Sequence, residues 1–388
     1  MTTPTKITRI EAQKVFVPFH RAAEWGAGTR PGTTRLIVQV HTADGTVGVG
    51  ETICLWEFVE PVMARTIIPL MLHEDACDIE RLCKKVEGAG YYHHQRALVA
   101  ALCGVEMALW DIVGKQAGMP LSKLWGGGYR NQIPLVGYVQ AKQPEQAAEA
   151  AARFVADGYQ TIKVKIGMSP ESDLAIVSAT RAAINSGIKL RADVNGAWTI
   201  GTAKRMLRKL EVFDLEYVEQ PLQMDDLRGH AELRRQFSTP IALDESAYTM
   251  QDVLNIIRTE AADVLLLDPH QAGGLSRCRK AAAVAEAAGI PVTLHSGAEL
   301  GFSTATYLHL AATLPNLMLA LDTQYSNQAD DIVTEPHVCE HGMMRVPAGA
   351  GLGVQLHEEK LARYKAEAIC DPYLDPSKPD WFPAKPQY

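Results

Sequence analysis

From residue 133 onward one pattern repeats. Short β-branched or apolar runs alternate with stretches rich in Ala, Leu and Glu that carry helical spacing. The runs are Ile133–Val139, Thr161–Ile166, Lys189–Val194, Leu215–Glu219, Ile241–Asp244, Val264–Asp268, Pro291–His295 and Leu317–Asp322. Helices fit between them, for example over 144–156 and 276–288. Eight strands with seven intervening helices describe a closed parallel barrel of the (β/α)7β kind. An open doubly wound sheet would need an early Gly-rich phosphate turn, which the chain lacks.

Charge falls at a fixed place in this repeat. Seven consecutive runs end in an ionisable residue: Lys165, Asp193, Glu219, Asp244, Asp268, His295 and Asp322. The spacings are 28, 26, 25, 24, 27 and 27 residues, one βα unit each. A single Asp after a strand usually caps the next helix. A whole series of such residues is different, because the C-terminal strand ends of a barrel meet at one mouth, where barrel active sites lie.

The rest of the chain reads as a companion. Arg35–Val40 and Val47–Gly50 flank Asp44-Gly45, the signature of a β-hairpin. Residues 58–87 and 95–117 carry helical spacing, so residues 1–130 are expected to form an α+β cap ahead of a Gly126-Gly-Gly boundary. The barrel is expected over 131–322, with 323–388 returning to the cap. Lys and Arg total 38 against 45 Asp and Glu, a net charge of −7 with no basic block. Nucleic acid is therefore not an expected partner. No run of apolar residues is long enough for an expected membrane span. Seven scattered Cys fit neither a disulfide framework nor a zinc site and suit a reducing cytoplasm.

The strand-end residues suggest a specific chemistry. Asp193, Glu219 and Asp244 end three successive strands, and such a trio repels itself unless a cation neutralises it. Hard oxygen donors favour Mg²⁺ over zinc. Lys163 and Lys165 point to one face of their strand. Two ammonium groups beside a divalent ion are expected to lower each other's pKa, leaving one Lys neutral as a general base. Asp268, one strand before His295, is suited to orient that imidazole. The two bases would then flank a substrate from opposite sides. Asn195 and Tyr138 are candidate substrate contacts. Gly273-Gly274 before a helix could receive an anion, or simply allow close packing.

Taken together, Lys163-Val-Lys165, Asp193-Val-Asn195, Glu219-Gln-Pro, Asp244-Glu-Ser, Asp268 before Gly273-Gly274, and His295 resemble the enolase superfamily. They are most similar to its mandelate racemase and muconate lactonizing enzyme branch. The resemblance spans nearly the whole chain. It implies Mg²⁺-assisted removal of the proton α to a carboxylate, with Lys165 as the base on one face and Asp268–His295 serving the other. It also implies that Lys163 tunes Lys165 and helps hold the substrate carboxylate, and that Asp322 stands near that carboxylate.

Leu267-Asp-Pro-His270 and Leu321-Asp-Thr look similar to glucarate-type dehydratases, which implies loss of water from an acid sugar to give a 2-keto-3-deoxy acid. Asp244 departs from that group, which carries Asn there. A racemase or epimerase is the first rival, a cycloisomerase the second, and a catalytically silent barrel the non-enzyme alternative. Trp25 and Trp56 sit in segments that resemble the family's mobile lids and are expected to close over the mouth. The expected partners are a small-molecule carboxylate and further copies of the chain in a homo-oligomer.

Overall fold

The computed structural model describes residues 3–25, 28–89, 95–370 and 388, with the side chains of Trp25, Gly28, Gln95 and Arg96 left aside. The chain opens with an antiparallel meander of β1 (Ile7–Trp25), β2 (Gly28–Thr42) and β3 (Val47–Ile53). The Asp44 carboxylate accepts the Thr46 amide at 3.0 Å and so fixes the tight turn between β2 and β3. Trp25, in a segment expected to act as a mobile lid, instead continues the ladder together with Glu24. The register shifts between Pro18 and Ala23, then pairing resumes out to Trp25 opposite Gly28. Thr52 likewise lies in β3, opposite Leu36.

The helix Gln95–Ala117 packs against β3 at very close range. A Cβ on Gly50 would stand 2.0 Å from the Gly104 carbonyl, and one on Gly48 would stand 2.1 Å from that of Ala108. Only glycine permits this approach. By length and mean hydropathy of 1.7, Ala97–Ala117 could cross a membrane, but 83% of that window is buried inside the protein. It is the core helix of the cap.

After Gly126 and Gly127, both with positive φ, the chain enters the barrel. The expected run 133–139 divides at Pro134, which has no amide hydrogen. Its first part, β4 (Gln132–Pro134), leaves the barrel sheet, and its second, β5 (Val136–Val139), joins it. β6 (Thr161–Lys165), β7 (Lys189–Asp193), β8 (Tyr217–Glu219), β9 (Ile241–Leu243), β10 (Val264–Leu267) and β11 (Val292–Leu294) follow, each parallel to its predecessor. The eighth run is not a regular strand. Leu317 bridges Val292 and Leu321 bridges Leu135, so the segment closes the barrel with a single bridge on each side. Each of the seven connections between these runs is helical, with Pro144–Ala156 in the first and two helices, Pro269–Ala272 and Leu275–Ala287, between β10 and β11. The protein is a parallel α/β barrel with an N-terminal cap.

Beyond the barrel, β12 (Cys339–Glu340) pairs with β13 (Met343–Arg345), which in turn pairs with β4. The chain then returns to β1, where Phe16 N–H donates to the Tyr364 carbonyl at 2.9 Å and Ala366 N–H to that of Lys14 at 3.0 Å. Cys54, Cys77, Cys83, Cys103, Cys278 and Cys339 are free thiols.

Candidate active site

The barrel register brings the strand-end residues together. Lys165 pairs with Asp193 across β6 and β7, and Asp193 with Glu219 across β7 and β8. Asp193, Glu219 and Asp244 are each no more than 1% exposed. The Lys163 ammonium lies among them, 2.6 and 2.7 Å from the two Glu219 oxygens, 2.6 Å from Asp322 and 3.2 Å from Asp193. Lys165 donates to Asp193 at 2.5 Å and to Asn195 Oδ1 at 3.1 Å. The Tyr138 ring lies beneath both ammonium groups, 5.3 and 5.5 Å from its centroid.

The surrounding carboxylates set the electrostatics of the two lysines. Burial favours neutral amines, but the surrounding groups together raise both lysines, Asp193 foremost at Lys165 and Asp322 with Glu219 at Lys163. The carboxylates around them dominate over the repulsion of one Lys for the other. Lys163 and Asp322 are also spoken for. Asp322 bridges Lys163 and the Arg191 guanidinium, 3.3 Å away, beneath the mouth.

Across the mouth, His295 Nδ1 lies 3.4 Å from Asp268 and Nε2 lies 3.5 Å from Asp244. Burial opposes a charged imidazole, yet these two acids hold His295 protonated well above its usual range. Asp268 also accepts the Tyr307 hydroxyl at 2.7 Å and the His270 amide at 2.8 Å. Tyr307, His270 and Gln271, which reaches Asp244 at 3.3 Å, were not legible as site residues. Each lies on a helix that looks like packing until the strand ends are in place.

Hard oxygen donors at the ends of β7, β8 and β9 fit a divalent cation. Burial and the neighbouring Asp193 push Glu219 up, while burial and Glu245 outweigh His295 and push Asp244 to about 7. The cluster is thus short of positive charge. Among the described residues, no three His, Cys, Asp or Glu side chains converge in a ready-made metal geometry, and Lys163 bonds both Glu219 oxygens.

Other candidates lie apart. Trp56 stacks on Phe58 with centroids 5.5 Å apart and packs on the cap core. The Trp25 side chain lies outside the described residues. The helix start after Gly273-Gly274 does receive an anion, supplied by the chain itself: Glu106 accepts the Leu275 and Ser276 amides at 2.7 and 3.0 Å.

Residues 6–126 match the model of the mandelate racemase / muconate lactonizing enzyme N-terminal domain, and residues 146–360 match that of the enolase C-terminal domain-like family. The chain belongs to the mandelate racemase and muconate lactonizing enzyme branch of the enolase superfamily. Within this branch it is 32% identical to an arabinonate dehydratase of Saccharolobus solfataricus, over 85% of this chain and 90% of the relative. It is 31% identical to a probable glucarate dehydratase of Streptomyces coelicolor, over 93% and 91%. The structure of an N-succinyl Arg/Lys racemase of Bacillus cereus superimposes with a TM-score of 0.87 at 25% identity, covering 93% of this chain and 98% of that one. Relatives in this branch therefore include dehydratases and racemases alike.

Proposed function

We propose that the chain removes the proton α to the carboxylate of a small acid sugar, with Mg²⁺ as cofactor, and expels the β-hydroxyl to give a 2-keto-3-deoxy acid. The observation that carries this reading is a pair of proton-transfer groups, Lys165 and His295, set around one carboxylate-lined mouth. Mg²⁺ held by Asp193, Glu219 and Asp244 would stabilise negative charge developing on the substrate carboxylate. Lys165 takes the α-proton in its neutral form, after Asp193 has turned to the cation and the ammonium has released its own proton to solvent. His295, held by Asp268, gives its proton to the departing hydroxyl, so that one water leaves in total. Asn195 and Tyr138 flank Lys165 and meet the substrate. Trp25 and Trp56 belong to the cap that selects it. Dehydratase relatives at 31–32% identity support this outcome, beside an L-Ala-D/L-Glu epimerase of Bacillus subtilis at 30%.

Epimerisation is the second reading, since the same two groups suit inversion and a racemase shares the fold at a TM-score of 0.87. The test is an acid-sugar panel including arabinonate and glucarate with Mg²⁺ in D₂O, followed by proton NMR and a 2-keto-acid assay. Keto acid appearing supports dehydration. Deuterium at C2 without keto acid replaces it with epimerisation. Neither signal on any member of the panel overturns the acid-sugar reading.

A further inference from the structure

Asp268 and His295 sit on separate loops, and one cap residue touches both loops. Arg35, on β2, has no solvent exposure. It donates through Nη2 to His270 Nε2 at 2.8 Å and through Nη1 to the Gly297 carbonyl at 3.4 Å. His270 comes two residues after Asp268, and Gly297 two after His295. Arg35 Nε is itself fixed by Glu51 at 2.7 Å. Glu51 in turn accepts the Leu300 and Ser303 amides, each at 2.9 Å. The guanidinium cannot swing away without breaking buried bonds.

Arg carries donors only, so His270 Nε2 must accept and the ring proton must sit on Nδ1. That nitrogen faces Thr52 Oγ1 at 3.3 Å, whose own hydrogen is committed to the Ala100 carbonyl. Burial and the adjacent guanidinium both push the His270 pKa down, to about 3, so the imidazole is neutral. The backbone amide of the same residue holds Asp268 Oδ1 at 2.8 Å, joined there by the Tyr307 hydroxyl. The other Asp268 oxygen is then left to face His295.

We infer that Arg35 is a positioning residue for the Asp268–His295 pair, acting through His270 on the carboxylate side and through Gly297 on the imidazole side. The cap is thereby part of the proton-transfer apparatus as well as its cover. The inference rests on the reading of His295 as a proton-transfer group.

The test uses full-length protein with Mg²⁺ and ¹⁵N-labelled histidine, comparing wild type with Arg35→Lys, Arg35→Met and His270→Gln. In the wild type the His270 ring is expected as the neutral Nδ1–H form across about pH 5–8. In both Arg35 variants the His295 ring signals are expected to move while those of His41 and His230 stay in place, which reports an intact fold. Unmoved His295 signals in a folded Arg35→Lys protein overturn the inference.

A second measurement follows C2-proton exchange in D₂O on D-arabinonate and its C2 epimer D-ribonate, with His295→Asn identifying the face that His295 serves. Arg35→Lys is expected to slow that face by about 10- to 100-fold, since small misplacements of a catalytic group cost this much. The Lys165 face is expected to stay near the wild-type rate. Equal loss on both faces assigns Arg35 a merely structural role and overturns the inference. His270→Gln, whose amide oxygen can accept from Arg35, is expected to keep the wild-type ratio between faces. If the wild type exchanges neither epimer, the functional reading fails for these acids, while the imidazole signals still decide the positioning.

Discussion

Two groups of buried acids divide the molecule. At the seam between cap and barrel, Glu51, Glu106 and Asp111 are each no more than 1% exposed, as are Asp193, Glu219 and Asp244 at the mouth. Their partners differ. Glu106 collects two amides, the Ser276 hydroxyl and the Trp110 indole N–H. Asp111 collects the Val49 and Leu352 amides and the Lys115 ammonium. Burial raises the pKa of both, and every neighbouring group acts to lower it. At the mouth, neighbouring acids push in the same direction as burial for Glu219 and Asp244. Glu245 Oε2 and Gln271 Oε1 beside them have no hydrogen-bond partner. Equal burial thus serves opposite ends. Acids satisfied by fixed donors lock the two parts together, whereas acids left to share a few cations keep binding capacity in reserve.

Four substitutions or conditions should separate the two regions. The largest effect is expected for Lys165→Ala, which removes a proposed base and should lower kcat by about 10²–10⁴-fold with little change in melting temperature. A folded variant with near wild-type turnover would remove Lys165 from the chemistry. At the seam the pattern should invert. Glu106→Ala orphans the Leu275 and Ser276 amides and should cost about 3 kcal/mol in urea unfolding. Its activity, measured where the fold persists, should stay close to wild type.

Next comes pH. Burial lowers His309 to about 4 at the seam, where Nε2 donates to the Leu352 carbonyl at 3.1 Å. Its folded pKa lies below the unfolded value, so its contribution is complete above about pH 6.5 and is lost as pH falls toward 4. The loss should approach about 1.4 kcal/mol for each unit of separation, and His309→Asn should flatten the stability curve in that window. The smallest effect on stability is of opposite sign. Glu219→Gln removes one of the repelling acids and should raise the stability of metal-free protein by about 1–2 kcal/mol while abolishing activity. A loss of stability in that variant would mean that the mouth is as saturated as the seam.

Much of the mouth was legible before any coordinates, because a barrel strand fixes which end of each run faces the site. Lys165, Asp193, Glu219, Asp244, Asp268 and His295 could all be named from spacing. Protonation was not legible. Two lysines two residues apart suggest mutual repulsion, but the acids that surround them arrive from strands 28 to 159 residues away. The seam was hidden for the same reason. Arg35 and His270 are 235 residues apart, Glu51 and Leu300 are 249 apart, and nothing in either local pattern points to the other. Glycine pairs were ambiguous in a similar way. Gly273-Gly274 reads as an anion site, and only the packed cap helix shows that the anion is Glu106.

By itself the sequence determined the closed barrel, its cap and the set of ionisable groups at one mouth. These follow from periodicity, which is a local property repeated along the chain. Only the tertiary structure decided which groups those ionisable residues face, which acids are structural, and that a cap arginine reaches the Asp268–His295 pair. Those outcomes depend on burial and on charges brought together across hundreds of residues, and buried charge is governed by its neighbours in space.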